Sequence, residues 1–423
     1  MNNDLSNKAF IPFSNACLLF DEAKQSVLVL NQSATFIYCA SFEVNSHDDL
    51  ACLLAEQFSI SHQQAQQDIE QFYYNVDKNS FFLEDKTKQN SFLNSIQSPL
   101  YPICDNHFKT LYLSVHQNTF SLNVPTQALV NELSAIYSYF MVSSQDSLKN
   151  STLDNIKYKL HICLLADTVP TLFSIYINAQ CVAQNLLPDQ LIPYVFGIIF
   201  ETTWRTELNK IENKDFLEDQ ERSLMFHSAV LAKNNNAVLF PAESGAGKST
   251  LAAVLAYKGW DFFTDELAII KPKQGSVSPC PLSVCVKEGA VDFLCHYYPQ
   301  LKNLNLYHRL DNKKVRYLPV LSSQQYKPQQ KSVDTKITVI IFPFYNKEIY
   351  CELNALDKEE ALMRFLGCGS SGRPINKNEL VSIIQFIEKT PCYSLVYSDI
   401  NAALKEVESI ANSHNNQKLT VIT

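Results

Sequence analysis

The sequence predicts a mixed α/β (α+β) chain: a large unit built around a phosphate-binding loop, preceded by a small unit of hairpin and short helices. Three observations carry this expectation. At 423 residues the chain is too long for one ordinary core, which points to two or three domains. Near its middle, AVLF (237–240), PAESGAGKST (241–250) and LAAVLAYKG (251–259) succeed one another as apolar strand, glycine-bearing loop and Ala/Leu-rich helix. Near its start, NACLLF and SVLVLN flank DEAKQ as two apolar runs about a polar turn, the pattern of a hairpin.

Composition narrows the function classes. Apolar residues make up 46% of the chain, which is ordinary for a globular protein. The net charge is −8 with no long basic run, so electrostatics gives no reason to expect a nucleic-acid partner. Twelve cysteines occur without a C-x-x-C pair, which argues against a zinc ribbon or a redox dithiol. The opening MNNDLSNKAF lacks a basic patch followed by an apolar core, so no signal peptide is expected. LIPYVFGIIF (191–200) is too short to span a bilayer and contains Pro193. A reducing cytoplasm and no membrane association are expected.

The elements follow in order. After the hairpin, SATFIYCASF has helical spacing. In NSHDDLACLLAEQFSI, Ser46 is the expected N-cap, Asp48 and Asp49 fall in the first turn, and Leu50, Leu53, Leu54 and Phe58 share a face. SHQQAQQDIEQFYYNV reads as a third helix, with Ser61 and Gln64 spaced as a capping box. The VLVLNQSATFIY and LLAEQFSISHQQAQQDIEQF blocks, taken with the hairpin before them, resemble the PqqD-like family of peptide-binding modules. The resemblance covers about 70 residues and implies a small winged-helix domain over 10–80 that holds a precursor-peptide leader against a strand edge. The usual glycine-rich loops of that family are missing here. A generic packing or dimerisation module fits the same pattern.

Residues 81–107 read as a wing remnant or linker. Beyond Phe108, TLYLSVHQNTFSLNV alternates like two strands and QALVNELSAIYSYF is amphipathic. IKYKLHICLLA, TLFSIYIN and QCVAQNL read as strands, LIPYVFGIIFETTWRTEL as a buried helix, and FHSAVLAKNNNAVLF as two strands about an NNN turn. No internal repeat is visible.

The loop departs from G-x-x-x-x-G-K-[ST] at one position, where Ala242 replaces the first glycine. Ala fits there if the backbone keeps a negative φ. The chain holds only nine glycines, none before Gly197, yet Gly245 and Gly247 fall within three residues of each other. Glu243, Ser244, Gly245, Ala246, Gly247, Lys248, Ser249 and Thr250 are therefore the expected ATP-binding residues, with loop amides and the helix N-terminus facing the phosphates. Lys248 is expected to reach the β/γ-phosphates and Ser249 to serve Mg²⁺. Downstream, GWDFFTDELAII sets Asp265 and Glu266 at the end of an apolar strand. One carboxylate there can hold Mg²⁺ and the other can take a proton from an attacking hydroxyl.

FHSAVL, PAESGAGKST and GWDFFTDELAII together resemble the HPr serine kinase/phosphorylase family, most nearly its HPr kinase-related branch. SPCPLSVCVKEGA, TVIIFPFYN and TPCYSLVYSDINAALKEVESI extend the likeness, which covers about 108–423. The resemblance implies a P-loop kinase fold related to phosphoenolpyruvate carboxykinase, with ATP and Mg²⁺ as cofactors and a serine-type hydroxyl as acceptor. Carried onto this sequence, it makes Asp265 the general base, gives Glu266 and Ser249 to the metal, and lets His227 orient a carboxylate or the phosphate. Lys287 becomes a candidate for neutralising the transferred phosphate and reads equally well as an ordinary surface cation; Arg316 is a weaker candidate of the same kind. The family's second Asp is Glu266 here, and its long signature segment is not apparent, which puts a reverse phosphorylase activity and HPr itself as substrate in doubt.

Two function classes stand. One is a kinase acting on a Ser or Thr hydroxyl of a precursor peptide, or on a small-molecule hydroxyl. The other is a nucleotide-regulated peptide-binding accessory protein. A transport ATPase lacks its LSGGQ-type segment, and no His/Asp cluster has metal-ligand spacing. The acceptor's identity and any homo-oligomer stay open.

Overall fold

The computed structural model describes residues 8–14, 16–44, 46–78, 81–82, 93, 108–116, 118–142, 156–165, 168–212, 223–309, 311–320, 334–368 and 374–416, of which 77–78, 81–82, 204–212 and 415–416 are described by backbone alone. The chain is mixed α/β, with four sheets and ten α-helices among these residues.

The N-terminal unit pairs β1 (Ala9–Phe13), β2 (Ala16–Asp21), β3 (Ser26–Leu30) and a short β4 (Phe81–Phe82) into an antiparallel sheet in that order. The expected hairpin is β2–β3. The strand before it was not legible, because Pro12 interrupts AFIPF; β1 lies at the sheet edge, where a missing donor is tolerated. Three helices lie between β3 and β4: α1 (Gln32–Ala40), α2 (His47–Phe58) and α3 (His62–Lys78). Ser46 caps α2 as expected, accepting from Asp49 N at 3.1 Å. The capping box at α3 is only half formed. Gln64 N donates to Ser61 Oγ at 3.1 Å, but the Gln64 side chain turns to the Asp68 carboxylate one turn on, at 2.8 Å. A charged acceptor at i+4 is the stronger partner.

β2 explains how this unit sits. Its apolar run ACLLFD is buried on both faces. Leu19 packs with Ile37, Leu54 and Phe72 of the unit's own helices. Leu18 and Phe20 face the other way, into a core shared with Phe226, Phe365, Leu380 and Ile384. Polar pairs stitch the seam: Gln25 accepts from Ile375 N at 2.8 Å and donates to Ile375 O at 3.0 Å, and Glu22 accepts from Lys377 N at 3.1 Å. Apart from 81–82 and 93, the expected linker 81–107 lies outside the described residues.

A five-stranded sheet follows: β5 (Lys109–Val115), β6 (Asn118–Val124), β7 (Tyr158–Leu165), β8 (Leu172–Ile177) and β9 (Gln180–Leu186). It shares a core with α4 (Gln127–Ile136) and α5 (Pro188–Glu212), whose Leu191, Ile192, Val195, Ile198 and Ile199 are fully buried. No described helix is long and apolar enough to cross a membrane.

The nine-stranded sheet carries the loop. Its strands are β10 (Leu224–Phe226), β11 (Ser228–Lys233), β12 (Asn236–Pro241), β13 (Asp261–Thr264), β14 (Ala268–Lys271), β15 (Ser276–Ser278), β19 (Thr335–Tyr345), β20 (Cys351–Ala355) and β21 (Cys392–Tyr397). A small antiparallel sheet of β16 (Val284–Lys287), β17 (Tyr307–His308) and β18 (Lys314–Leu318) stands beside it. The remaining helices are α6 (Lys248–Tyr257), α7 (Glu288–Leu294), α8 (Lys358–Gly367), α9 (Lys377–Lys389) and α10 (Ile400–Asn416). β12, β19 and β21 run parallel and adjacent, so their C-terminal ends open on one rim. α6 and α10 cover one face of this sheet, α8 and α9 the other.

Candidate functional site

The loop between β12 and α6 has the backbone its glycines were expected to serve. Gly245 and Gly247 have φ of 102° and 90°, conformations that a side chain would strain. A Cβ on Gly247 would also lie 3.1 Å from the Tyr397 hydroxyl and 3.2 Å from Tyr345 Cβ. Ala242 is buried and is not among the described residues with positive φ, so the missing first glycine costs the backbone nothing. The α6 N-terminus opens at Gly247 without a side-chain cap, leaving its amides for a ligand. Glu243, Ser244 and Gly245 are exposed on the loop, while Ala246, Ser249 and Thr250 are half-buried.

Lys248, first residue of α6, is 4% exposed, and its Nζ has no hydrogen-bond partner. Burial lowers its pKa, while Glu266 and Asp265 pull it back up. Asp265 is 1% exposed in the turn between β13 and β14; its Oδ2 is likewise buried and unbonded. Burial first, and the charge of Glu266 second, push its carboxyl up to about 7, against the opposing effects of Lys248 and a hydrogen bond with Ser249. Glu266 moves the other way. Burial raises it, but His227, Lys248, Arg309 and Lys287 together hold it below the usual range. His227 Nε2 stands 3.7 Å from Glu266 Oε2. Two adjacent carboxyls are thus driven apart in pKa, one toward proton acceptance near neutrality and one toward permanent charge.

Lys287, at the end of β16, reaches over the loop and donates to Ser244 Oγ at 2.9 Å. Arg316 is not brought there. It stands opposite Val286, on the face of β18 away from Lys287, and donates to the Leu304 carbonyl. A cation that the sequence reading missed takes the place beside Glu266: Arg309, just after β17, which also contacts Cys285 Sγ at 3.5 Å and Asp311 at 3.3 Å. Nothing local in HRLDNKK marked it; strand pairing around the 309–313 turn puts it there.

Ser249, Asp265 and Glu266 offer oxygen donors of the kind that suits Mg²⁺, with Ser249 hydrogen-bonded to Asp265. Lys248 and Lys287 with the loop amides suit a polyphosphate equally well. Among the described residues a three-donor cluster forms away from the loop. Asp48, Cys52 and His62, all exposed on α2 and α3, bring their ligand atoms within 4.8 Å of one another, with His62 already paired to Asp48 at 3.2 Å. Sequence spacing did not reveal it, because the third donor comes from the next helix.

Compared with known families and curated proteins, the chain matches no family model and no curated sequence.

Proposed function

We propose that the chain is an ATP- and Mg²⁺-dependent phosphotransferase of the HPr kinase-related, phosphoenolpyruvate carboxykinase-like type, acting on a Ser or Thr hydroxyl of a peptide held by its N-terminal PqqD-like, winged-helix unit. One observation carries the reading: Lys248 Nζ and Asp265 Oδ2 are buried at the phosphate loop without hydrogen-bond partners. A buried ammonium without a partner is costly, and a polyphosphate supplies what it lacks.

The chain's own residues divide the work. Amides of the α6 N-terminus and of the loop, other than Ala246, which donates to the Glu243 carbonyl, grip phosphate oxygens, and Lys248 and Lys287 neutralise them. Asp265, with its carboxyl near 7, accepts the proton of the attacking hydroxyl at Oδ2. His227 and Arg309 keep Glu266 charged, and His227 stands against its carboxylate. Ser249 and Glu266 would hold Mg²⁺, which would screen charge on the phosphates and leave Asp265 Oδ2 for the proton.

The peptide part draws support from a groove of about 240 Å³ between β3 and α3, lined by Leu28, Val29, Leu30, Asn31, Ala34, Phe72, Asn75 and Glu359. β2 pairs with the whole of β3, but β4 meets only Ser26 and Val27, so among the described residues Leu28–Leu30 have no strand on that side. An extended peptide adds there by strand addition. The compartment proposed is a reducing cytoplasm, consistent with cysteines that lack paired spacing.

The test is transfer of label from γ-labelled ATP to a leader-bearing peptide. Label is expected on a peptide hydroxyl and is expected to vanish with Asp265→Asn. Label found only in a small metabolite removes the peptide part. No transfer by the wild type, or transfer that survives Asp265→Asn, removes the kinase part.

A further inference from the structure

The rim beside the phosphate loop carries an unusual surface. Three large side chains within seven residues are strongly exposed: Phe344 (53%), Tyr345 (45%) and Tyr350 (69%). Exposed aromatics cost solvation unless something uses them, and these stand where the parallel strands β12, β19 and β21 end. Ligands of open α/β sheets lie outside the carboxyl ends of such strands.

Tyr345 is tied to the loop on both sides. Its N–H donates to the Ala246 carbonyl at 3.1 Å, and its Cβ abuts Gly247. By strand alternation it shares the sheet face of Val339 and Ile341, the face that α6 covers. Tyr397, its partner on β21, meets it edge-on, with ring centroids 6.1 Å apart at 77°, and so supports the ring without covering its face. The next residue, Asn346, is fixed to β21 by its N–H donating to the Tyr397 carbonyl at 2.9 Å, so the ring sits on a braced turn.

Resting on the phosphotransferase reading, we infer that Tyr345 is the platform on which the purine base of the nucleoside triphosphate stacks, with the phosphates in the adjoining Ser244–Thr250 loop. The chain therefore reads the whole nucleotide: cations and amides hold the phosphates, and an aromatic face at the end of β19 holds the base. Phe344 points to the opposite sheet face and takes no part, since successive strand residues alternate.

Calorimetric titration of the full chain with ATP and, separately, with inorganic tripolyphosphate, both with Mg²⁺, tests this. Tyr345→Ala is expected to weaken ATP binding at least about fivefold and to leave tripolyphosphate binding within about twofold of wild type. Tyr345→Phe is expected to bind ATP as wild type does. Tyr345→Leu keeps apolar bulk against Gly247 while removing the ring, and gives the same readout should the alanine variant fail to fold. Equal loss for both probes, no loss for either, or a wild type that binds tripolyphosphate as tightly as ATP overturns the base platform and leaves the phosphate-loop reading standing. A wild type that binds neither probe overturns both.

Discussion

The loop before α6 and the seam under the N-terminal sheet both hold buried polar groups, yet they are built on opposite principles. At the seam, Gln25 both gives and takes a hydrogen bond with the Ile375 backbone, Glu22 answers Lys377 N, and Leu18 and Phe20 fill the space between. At the loop, Lys248 and Asp265 are buried with polar atoms unanswered. Lys358, at the start of α8, shows that the fold can satisfy a lysine: its Nζ donates to the Ile387 and Thr390 carbonyls at 2.8 and 2.7 Å. Full satisfaction suits a permanent joint, whereas two unanswered groups of opposite charge beside one loop suit a ligand.

The contrast predicts opposite signs for mutation. The largest stability change belongs to the seam: Phe20→Ala, which opens a cavity between the two units, is expected to cost about 3–5 kcal/mol in denaturant unfolding. A cost below about 1 kcal/mol would break the idea of a permanent joint.

Asp265→Asn is expected to stabilise the ligand-free chain, and to do so in a pH-dependent way. The folded pKa of Asp265, about 7, lies above its ordinary value of 3.8. Its contribution to stability is therefore complete below about pH 4 and is lost as pH rises through 7. The Tm difference, variant minus wild type, is expected to grow by about 2–5 °C between pH 5 and pH 8. A difference that stays flat or shrinks would mean that Asp265 is not held neutral.

The smallest effect is expected at Ala242→Gly. Ala242 does not have a positive φ, so glycine relieves no strain and adds only unfolded-state freedom, about 0.5–1 kcal/mol of destabilisation. ATP affinity is expected to stay within about threefold. A large gain in affinity or activity would mean that the loop works below its design and that the contrast with the seam has been misread.

What could be read from the sequence was what neighbours along the chain decide. AVLF, the loop and its helix form as a local unit, with Gly259 at φ 89° ending α6 as its position suggested. The Ser46 cap and the β2–β3 hairpin are equally local. Lys287 was legible only as a residue that fitted a phosphate cation and a surface lysine equally well, with Arg316 the weaker candidate of the same kind, and the pairing of β16 with β18 set the two on opposite faces. Arg309 was hidden because its relation to Glu266 exists only after distant strands assemble. The seam was hidden for the same reason. ACLLFD looks like any buried strand, and the demand for a second cover, supplied some 350 residues later by the segment around Ile375, is not written nearby.

The double burial of β2 has a mechanical consequence. A recruiting module on a free tether delivers its cargo anywhere within reach. Here the N-terminal unit shares a core with the rest of the chain, so on the proposed reading the groove beside β3 and the loop before α6 keep a fixed separation. In the proposed reaction the chain then measures its substrate: the stretch of peptide between the anchored part and the acceptor hydroxyl must match that separation. Which serine or threonine is modified would be chosen by counting along the peptide more than by the residues that flank it.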